Sequence, residues 1–287
     1  MDATTRQRAI ALHDDFTHKG GDRRAFLRGL TALAGSMAAA EALIAAIAAS
    51  PAAAAIVPAD DARLVTRTES WTRDGRTLTA YVARAARGRA GPAVIVIHEN
   101  RGLNEHIRDV ARRIALAGYT AVAPDLLAPG GGTPVDQDRA REMIGALDLA
   151  ETVRDVQSAF DRFGGGGKAG VTGFCWGGAM VNRLAVAGAP GLAAAVSYYG
   201  PAPAQAEAAR VAVPLMLHLP EFDARVAATV RPFVAALQAA GKPVTLHDYA
   251  GANHAFNNET SAERYDATAA RLAWDRTLAF FREHLTP

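Results

Sequence analysis

The chain of 287 residues contains a single cysteine, Cys175, so no disulfide can close within it and the fold cannot rest on oxidation. The lack of a second thiol also removes the resolving partner that a thiol redox protein uses to recycle a sulfenic acid. Neither sign of charge is in excess: 31 Lys and Arg stand against 29 Asp and Glu. With no basic stripe, the electrostatic footprint of a nucleic-acid or anionic-membrane binder is missing. The stretch "HENRGLNEH" lacks the H-E-x-x-H spacing of a helical zinc site, so no metal is expected. No internal repeat and no interdomain linker interrupts the chain beyond residue 60.

A long, strongly apolar run is absent too. The alanine-rich stretch from Leu30 to Ala49 is only weakly hydrophobic and carries Glu41, which argues against a stable membrane span. It follows "DRRAFLRGL", with adjacent Arg23 and Arg24 and then Phe26 and Leu27, and it ends in the small residues "SPAAAA". This anatomy predicts that residues 1–54 are a twin-arginine export signal, read by the export machinery and cleaved near Ala54. The protein is then expected in the periplasm or otherwise exported, with no permanent membrane anchor. An ordinary surface helix or a retained anchor is the alternative. In an oxidising compartment a free cysteine needs a reason.

What is present is a regular alternation of strand and helix signals. "RLVTRTES" and "RTLTAYVAR" flank Asp74-Gly75 and predict an antiparallel hairpin. "AVIVIHE" (93–99), "YTAVAPD", "AGVTGF", "LAAAVSYYG", "VPLMLHL" and "PVTLHDY" are short runs typical of buried strands. Helical periods fill the intervals: 104–117 with Ile107, Val110 and Ile114 on one side, roughly 140–162, the segment after Cys175, "ARVAATVRPFVAALQAA", and roughly 261–283. The Pro- and Gly-rich stretch 128–134 reads as a surface loop. Strands alternating with helices predict an α/β fold in which a mostly parallel sheet is covered on both faces, as one domain over 60–287.

Within that frame "GFCWGG" (173–178) closes a buried strand and opens a helix. Gly173-Phe-Cys175-Trp-Gly177 is a G-x-S-x-G nucleophile elbow with cysteine in place of serine. The flanking glycines are needed where strand and helix nearly touch. The helix N-terminus favours a thiolate, and the Trp176 N–H can donate to an oxyanion. A structural cysteine beside a glycine-rich turn is the plainer reading. An elbow requires an acid and then a histidine at the ends of later strands. Asp223 in "VPLMLHLPEFD" and His254 in "PVTLHDYAGANHAF" come in that order, with Glu221 and Asp248 as rival acids. His218 and His247 are expected to pack or hydrogen-bond within strands, and His106 and His284 to lie solvated on helices.

With "HENRGLN", "GFCWGG", "EFDARV" and "GANHAF" in this order, the chain resembles the dienelactone hydrolase family of α/β-hydrolases from about residue 60 to its end. The resemblance implies the α/β-hydrolase fold and a cofactor-free Cys175–His254–Asp223 triad that cleaves an ester or lactone through a thioester. It implies that Glu99 takes the thiol proton as substrate binds, and that the backbone amides of Asn100 and Trp176 form the oxyanion hole. A strand-end carboxylate paired with Arg101 or Arg108 is the alternative for Glu99. A carboxylate beside the thiol would keep it protonated at rest, which would explain a free cysteine after export. Tyr198 and Tyr199 are candidates to line the substrate pocket, or core aromatics. Members acting on dienelactone hold its carboxylate with arginines, one of them shortly after the histidine. Here Asn257 and Asn258 occupy that place, with Arg264 further on and Arg101 and Arg141 elsewhere. A broader carboxylesterase or thioesterase, or a non-catalytic binding protein of the same fold, are the competing functions.

Overall fold

The structure, a computed structural model, describes residues 3–19, 22–47 and 55–285. By their contacts these residues form two compact units, one of the described residues up to 47 together with 255–270, the other of 55–254 together with 271–285.

The first unit contains helices α1 (Ala3–Lys19), α2 (Arg23–Ala34) and α3 (Met37–Ile47). Asp22 starts α2 by accepting the Arg24 N–H at 3.0 Å, so the paired arginines form its first turn. Ala9, Ile10, Phe26, Leu30, Ala40, Leu43 and Ile47 form a common core, with Phe16 stacked on Phe26 at 4.5 Å. Ser261 Oγ donates to the Ile47 carbonyl at 2.6 Å, and Arg264 pairs with Asp14 at 2.6 Å. Among the described residues no single helix is long and apolar enough to cross a membrane. The pair Arg23–Ala34 and Met37–Ala45, bent by 104°, passes on length and composition. The expected cleavage point near Ala54 lies outside the described residues.

The second unit is built on eight strands: β1 (Leu64–Arg73), β2 (Arg76–Ala85), β3 (Ala93–Ile97), β4 (Thr120–Asp125), β5 (Ala169–Phe174), β6 (Leu192–Tyr198), β7 (Leu215–Phe222) and β8 (Val244–Asn253). Their order in the sheet is β1-β2-β4-β3-β5-β6-β7-β8. The hairpin is as expected: Arg73 faces Arg76, leaving Asp74 and Gly75 at φ 48° and 75°, the left-handed pair that a tight two-residue turn requires. β2 runs antiparallel to β4, and every pairing from β4 to β8 is parallel. Helices α4 (Glu105–Leu116), α5 (Gln137–Gly145), α6 (Leu149–Phe163), α7 (Trp176–Ala187), α8 (Ala224–Ala239) and α9 (Ala267–Leu285) connect and follow the strands. This is the α/β-hydrolase fold. All five residues of β3 and all six of β5 are buried, which is why their sequences are unbroken apolar or small-residue runs rather than alternating ones.

Three expectations need correction. The helix over 140–162 is two helices, because Asp148 accepts the Glu151 N–H at 2.7 Å and so starts a new one just after α5 ends. The last helix begins at 267 rather than 261, where Asp266 accepts the N–H groups of Thr268 and Ala269 at 3.0 and 2.9 Å. Residues 258–265 form successive turns instead. His106 is not solvated: it lies one turn before Val110 on the inward stripe of α4 and meets Phe174 edge-on at 6.1 Å.

Candidate active site

Cys175 sits between the last residue of β5 and the first of α7, with φ 54° and ψ −114°. A side chain at positive φ costs about 1–3 kcal/mol and persists only where its surroundings enforce it. Here the Cys175 N–H donates to the Tyr198 carbonyl at 3.0 Å, and its own carbonyl accepts the Ala179 N–H at 3.1 Å. The glycines around it answer to close approach. A Cβ on Gly173 would lie 2.4 Å from the Gly177 carbonyl oxygen, and one on Gly177 would lie 2.4 and 2.5 Å from the carbonyls of Ile97 and His98. No larger residue fits at either place while the strand-to-helix turn keeps its shape.

Asp223 follows β7 and caps α8: its Oδ1 accepts the Val226 N–H at 3.1 Å. Its Oδ2 meets Nδ1 of His254, the residue after β8, at 2.5 Å. Both side chains are buried. Burial alone would drive the His254 pKa down. Beside a Cys175 thiolate and the hydrogen-bonded Asp223 carboxylate, this is outweighed and the imidazole is raised to about 10. Burial likewise disfavours the Asp223 carboxylate, but His254 and the Val226 N–H hold its pKa below the ordinary 3.8. The structure therefore brings Cys175, His254 and Asp223 together at the strand ends, with the imidazole hydrogen-bonded to Asp223 and in the electrostatic reach of Cys175. The rival acids are engaged elsewhere: Glu221 accepts the Gly251 N–H at 2.6 Å, and Asp248 pairs with Arg231 at 2.7 Å.

Glu99 is buried two residues beyond β3, and Asn100 follows it. Trp176, first residue of α7, is half-buried. The two tyrosines part company. Tyr198 is in the core, its hydroxyl 2.6 Å from Thr277 Oγ1, and burial holds its phenol above the usual range. Tyr199, at φ 41°, donates its N–H to the His218 carbonyl and sets its ring 5.0 Å from that of His254. His218 bridges Tyr249 (2.7 Å) and Thr277 (3.0 Å), as a strand histidine was expected to do. Of the arginines, Arg141 lies 3.4 Å from Asp138 on its own helix.

His98 is the side chain at this end of the sheet to which the sequence assigned nothing. It is fully buried, its ring stacks on the Trp176 indole at 5.6 Å and 12°, and both ring nitrogens have partners. Its position at the C-terminal end of a buried parallel strand was the available signal, since ligands gather there in α/β sheets. Among the described residues no three His, Cys, Asp or Glu side chains group as metal ligands would.

The model of the dienelactone hydrolase family matches residues 78–285, which run from within β2 to the end of α9 and take in all four residues Glu99, Cys175, Asp223 and His254. The chain belongs to the dienelactone hydrolase family. A candidate carboxymethylenebutenolidase of Escherichia coli K12 is 32% identical over 256 residues, covering 83% of this chain and 94% of the relative. Another, from Methylorubrum extorquens, is 32% identical over 231 residues, covering 74% and 78%. Among solved structures, a candidate dienelactone hydrolase from Klebsiella pneumoniae is 30% identical with a TM-score of 0.68, over 77% of this chain and 99% of that one. A dienelactone hydrolase-like promiscuous phosphotriesterase from metagenomic libraries shares the fold, with a TM-score of 0.71 over 78% and 100% at 24% identity. Membership of the dienelactone hydrolase family makes the protein a member of a hydrolase family.

Proposed function

We propose that the protein hydrolyses a carboxylic ester or lactone with Cys175 as nucleophile. The observation that carries this reading is the Asp223–His254 hydrogen bond in the electrostatic reach of Cys175, with the cysteine forced to positive φ at a strand-to-helix turn. The thiolate attacks the carbonyl carbon, the alcohol leaves with the proton of the His254 imidazolium, and a thioester remains. Water deprotonated by His254 then attacks the thioester, releasing the acid and returning the thiol. Asp223 holds the imidazole with its proton on Nδ1, so that Nε2 is the end that exchanges protons.

In this reading the N–H groups of Asn100 and Trp176 receive the oxyanion. The end of β3 lies hard against the elbow, as the clearance at Gly177 demonstrates, so donors from both segments can converge on one oxygen. Glu99, next to that contact, takes the proton of the resting thiol when substrate arrives. Tyr199 walls the site beside His254, and Tyr198 supports it from the core. A small uncharged ester or lactone is the substrate class favoured here, because Asn257 and Asn258 occupy the positions where an arginine clamp for a carboxylate is expected. No cofactor takes part. Export through a twin-arginine signal in residues 1–54, and a periplasmic location, complete the proposal.

The test compares the protein with Cys175→Ala on a dienelactone and on p-nitrophenyl acetate. Turnover of the neutral ester that vanishes in the variant supports the reading. Equal rates for the two proteins on both compounds would overturn it and favour a binding protein of the same fold.

A further inference from the structure

His98 has a job that the elbow and the triad do not explain. A carbonyl oxygen can only accept, so the 2.8 Å contact between Nδ1 and the Glu99 oxygen requires a proton on Nδ1. A backbone N–H can only donate, so the 3.3 Å contact from the Leu126 N–H requires Nε2 to be bare. The ring is therefore neutral with a single possible tautomer, and burial, which lowers its pKa, keeps it so.

The consequence lies in the peptide group between Glu99 and Asn100. That group is planar and trans, so its C=O and its N–H point in opposite directions. Holding the Glu99 carbonyl toward His98 turns the Asn100 N–H the other way. The Gly102 N–H reaches the same carbonyl at 3.4 Å, a weaker second hold. On its face, the His98 ring also carries the indole of Trp176, the residue that offers the second oxyanion donor.

We propose that His98 is the positioning residue of the oxyanion site, aiming the Asn100 N–H through its hydrogen bond to the Glu99 carbonyl and seating Trp176 by stacking. This rests on the reading of Asn100 and Trp176 as oxyanion donors. A histidine that only joined β3 to β4 would need neither the Nδ1 bond nor the stacked indole.

Two amide substitutions separate the roles of the ring nitrogens. His98→Asn can place an amide N–H near the Nδ1 position, whereas His98→Gln reaches toward the Nε2 end. With p-nitrophenyl acetate, His98→Gln should lower kcat roughly tenfold to hundredfold at nearly constant KM, a fraction of what loss of a whole oxyanion donor costs. His98→Asn should recover a large part of that loss. Alkylation of Cys175 by iodoacetamide, which forms no oxyanion, should proceed at the same rate in all three proteins. Equal loss of kcat in both variants, no loss in either, or a matching fall in alkylation would overturn the proposal. Ester turnover that does not depend on Cys175 would overturn the functional reading, and this one with it. If His98→Gln does not fold, NMR of the wild-type imidazole decides: a proton on Nδ1 across neutral pH is expected, and one on Nε2 refutes the assignment.

Discussion

Replacing Asp223 with asparagine removes one charge and almost no volume, and its effects follow from the donors and acceptors present. Oδ1 accepts from the Val226 N–H at 3.1 Å, and Oδ2 from His254 Nδ1 at 2.5 Å. Asparagine has one acceptor and one donor for these two donors. If its oxygen stays on Val226, its NH2 faces Nδ1 and drives the imidazole proton to Nε2, where it can no longer accept a proton from thiol or water. If its oxygen turns to His254, the cap of α8 is lost and two donors face each other. Either way one charge-assisted bond goes, about 1.5–3 kcal/mol. General acid–base assistance goes with it, about 10²–10⁴-fold in kcat.

The pH dependence gives the sharper check. His254 is raised from 6.5 to about 10, so its contribution to stability is complete below pH 6.5 and is lost as pH climbs to about 10. Asp223 is lowered from 3.8, so its contribution is complete above that value and is lost as pH falls through its depressed pKa. The part of each that comes from the His254–Asp223 pair is one interaction and does not add; Cys175 also raises His254. Wild-type Tm should therefore fall as the pH rises above neutral, and Asp223→Asn should flatten that fall in part, leaving the share that Cys175 contributes. It should also move the alkaline limb of the kcat/KM profile to lower pH. Full activity with an unchanged Tm–pH curve would show that Asp223 does not hold His254 as described.

Other consequences are more local. Gly177→Ala would press a methyl onto two backbone carbonyls at 2.4 and 2.5 Å, so a loss of about 3 kcal/mol in urea unfolding, and of activity, is expected. Asp155, buried, accepts from Arg73 at 2.9 Å and Arg76 at 2.8 Å, tying the β1–β2 hairpin to α6. Asp155→Ala should cost about 3–5 kcal/mol by chemical denaturation, with little change in KM if the protein remains folded. Glu99→Gln should lower turnover and change the rate at which iodoacetamide alkylates Cys175, and invariance of both rates would remove Glu99 from the mechanism. Tyr199→Phe is expected to change KM more than Tyr198→Phe does, because Tyr199 stands beside His254 while the Tyr198 hydroxyl is held by Thr277.

Local chemistry made much of the fold legible. Buried parallel strands must be continuously apolar or small, so the runs at 93–97 and 169–174 declared themselves, and Asp74-Gly75 could be little other than a tight turn. The elbow was legible for the same reason: close backbone approach leaves only glycine at 173 and 177, whatever the rest of the molecule does. Chain order then narrowed the partners to a few strand ends.

Which of those partners met was decided in three dimensions. Asp223, Glu221 and Asp248 are all acids beside late strands, and only the pairing of β7 with β8 turns Asp223 onto His254 and the others outward. The break at Asp148 and the late start of α9 were hidden because a capping side chain and a mid-helix polar residue are the same letters until the backbone turns. Tyr198 and Tyr199 are adjacent and identical in sequence, yet the positive φ of Tyr199 at the end of β6 sends the two rings to different places. The sequence determined which residues could bend sharply or be buried, because those are properties of single side chains. Tertiary structure decided which donors face which acceptors, because that depends on the register of strands far apart in the chain.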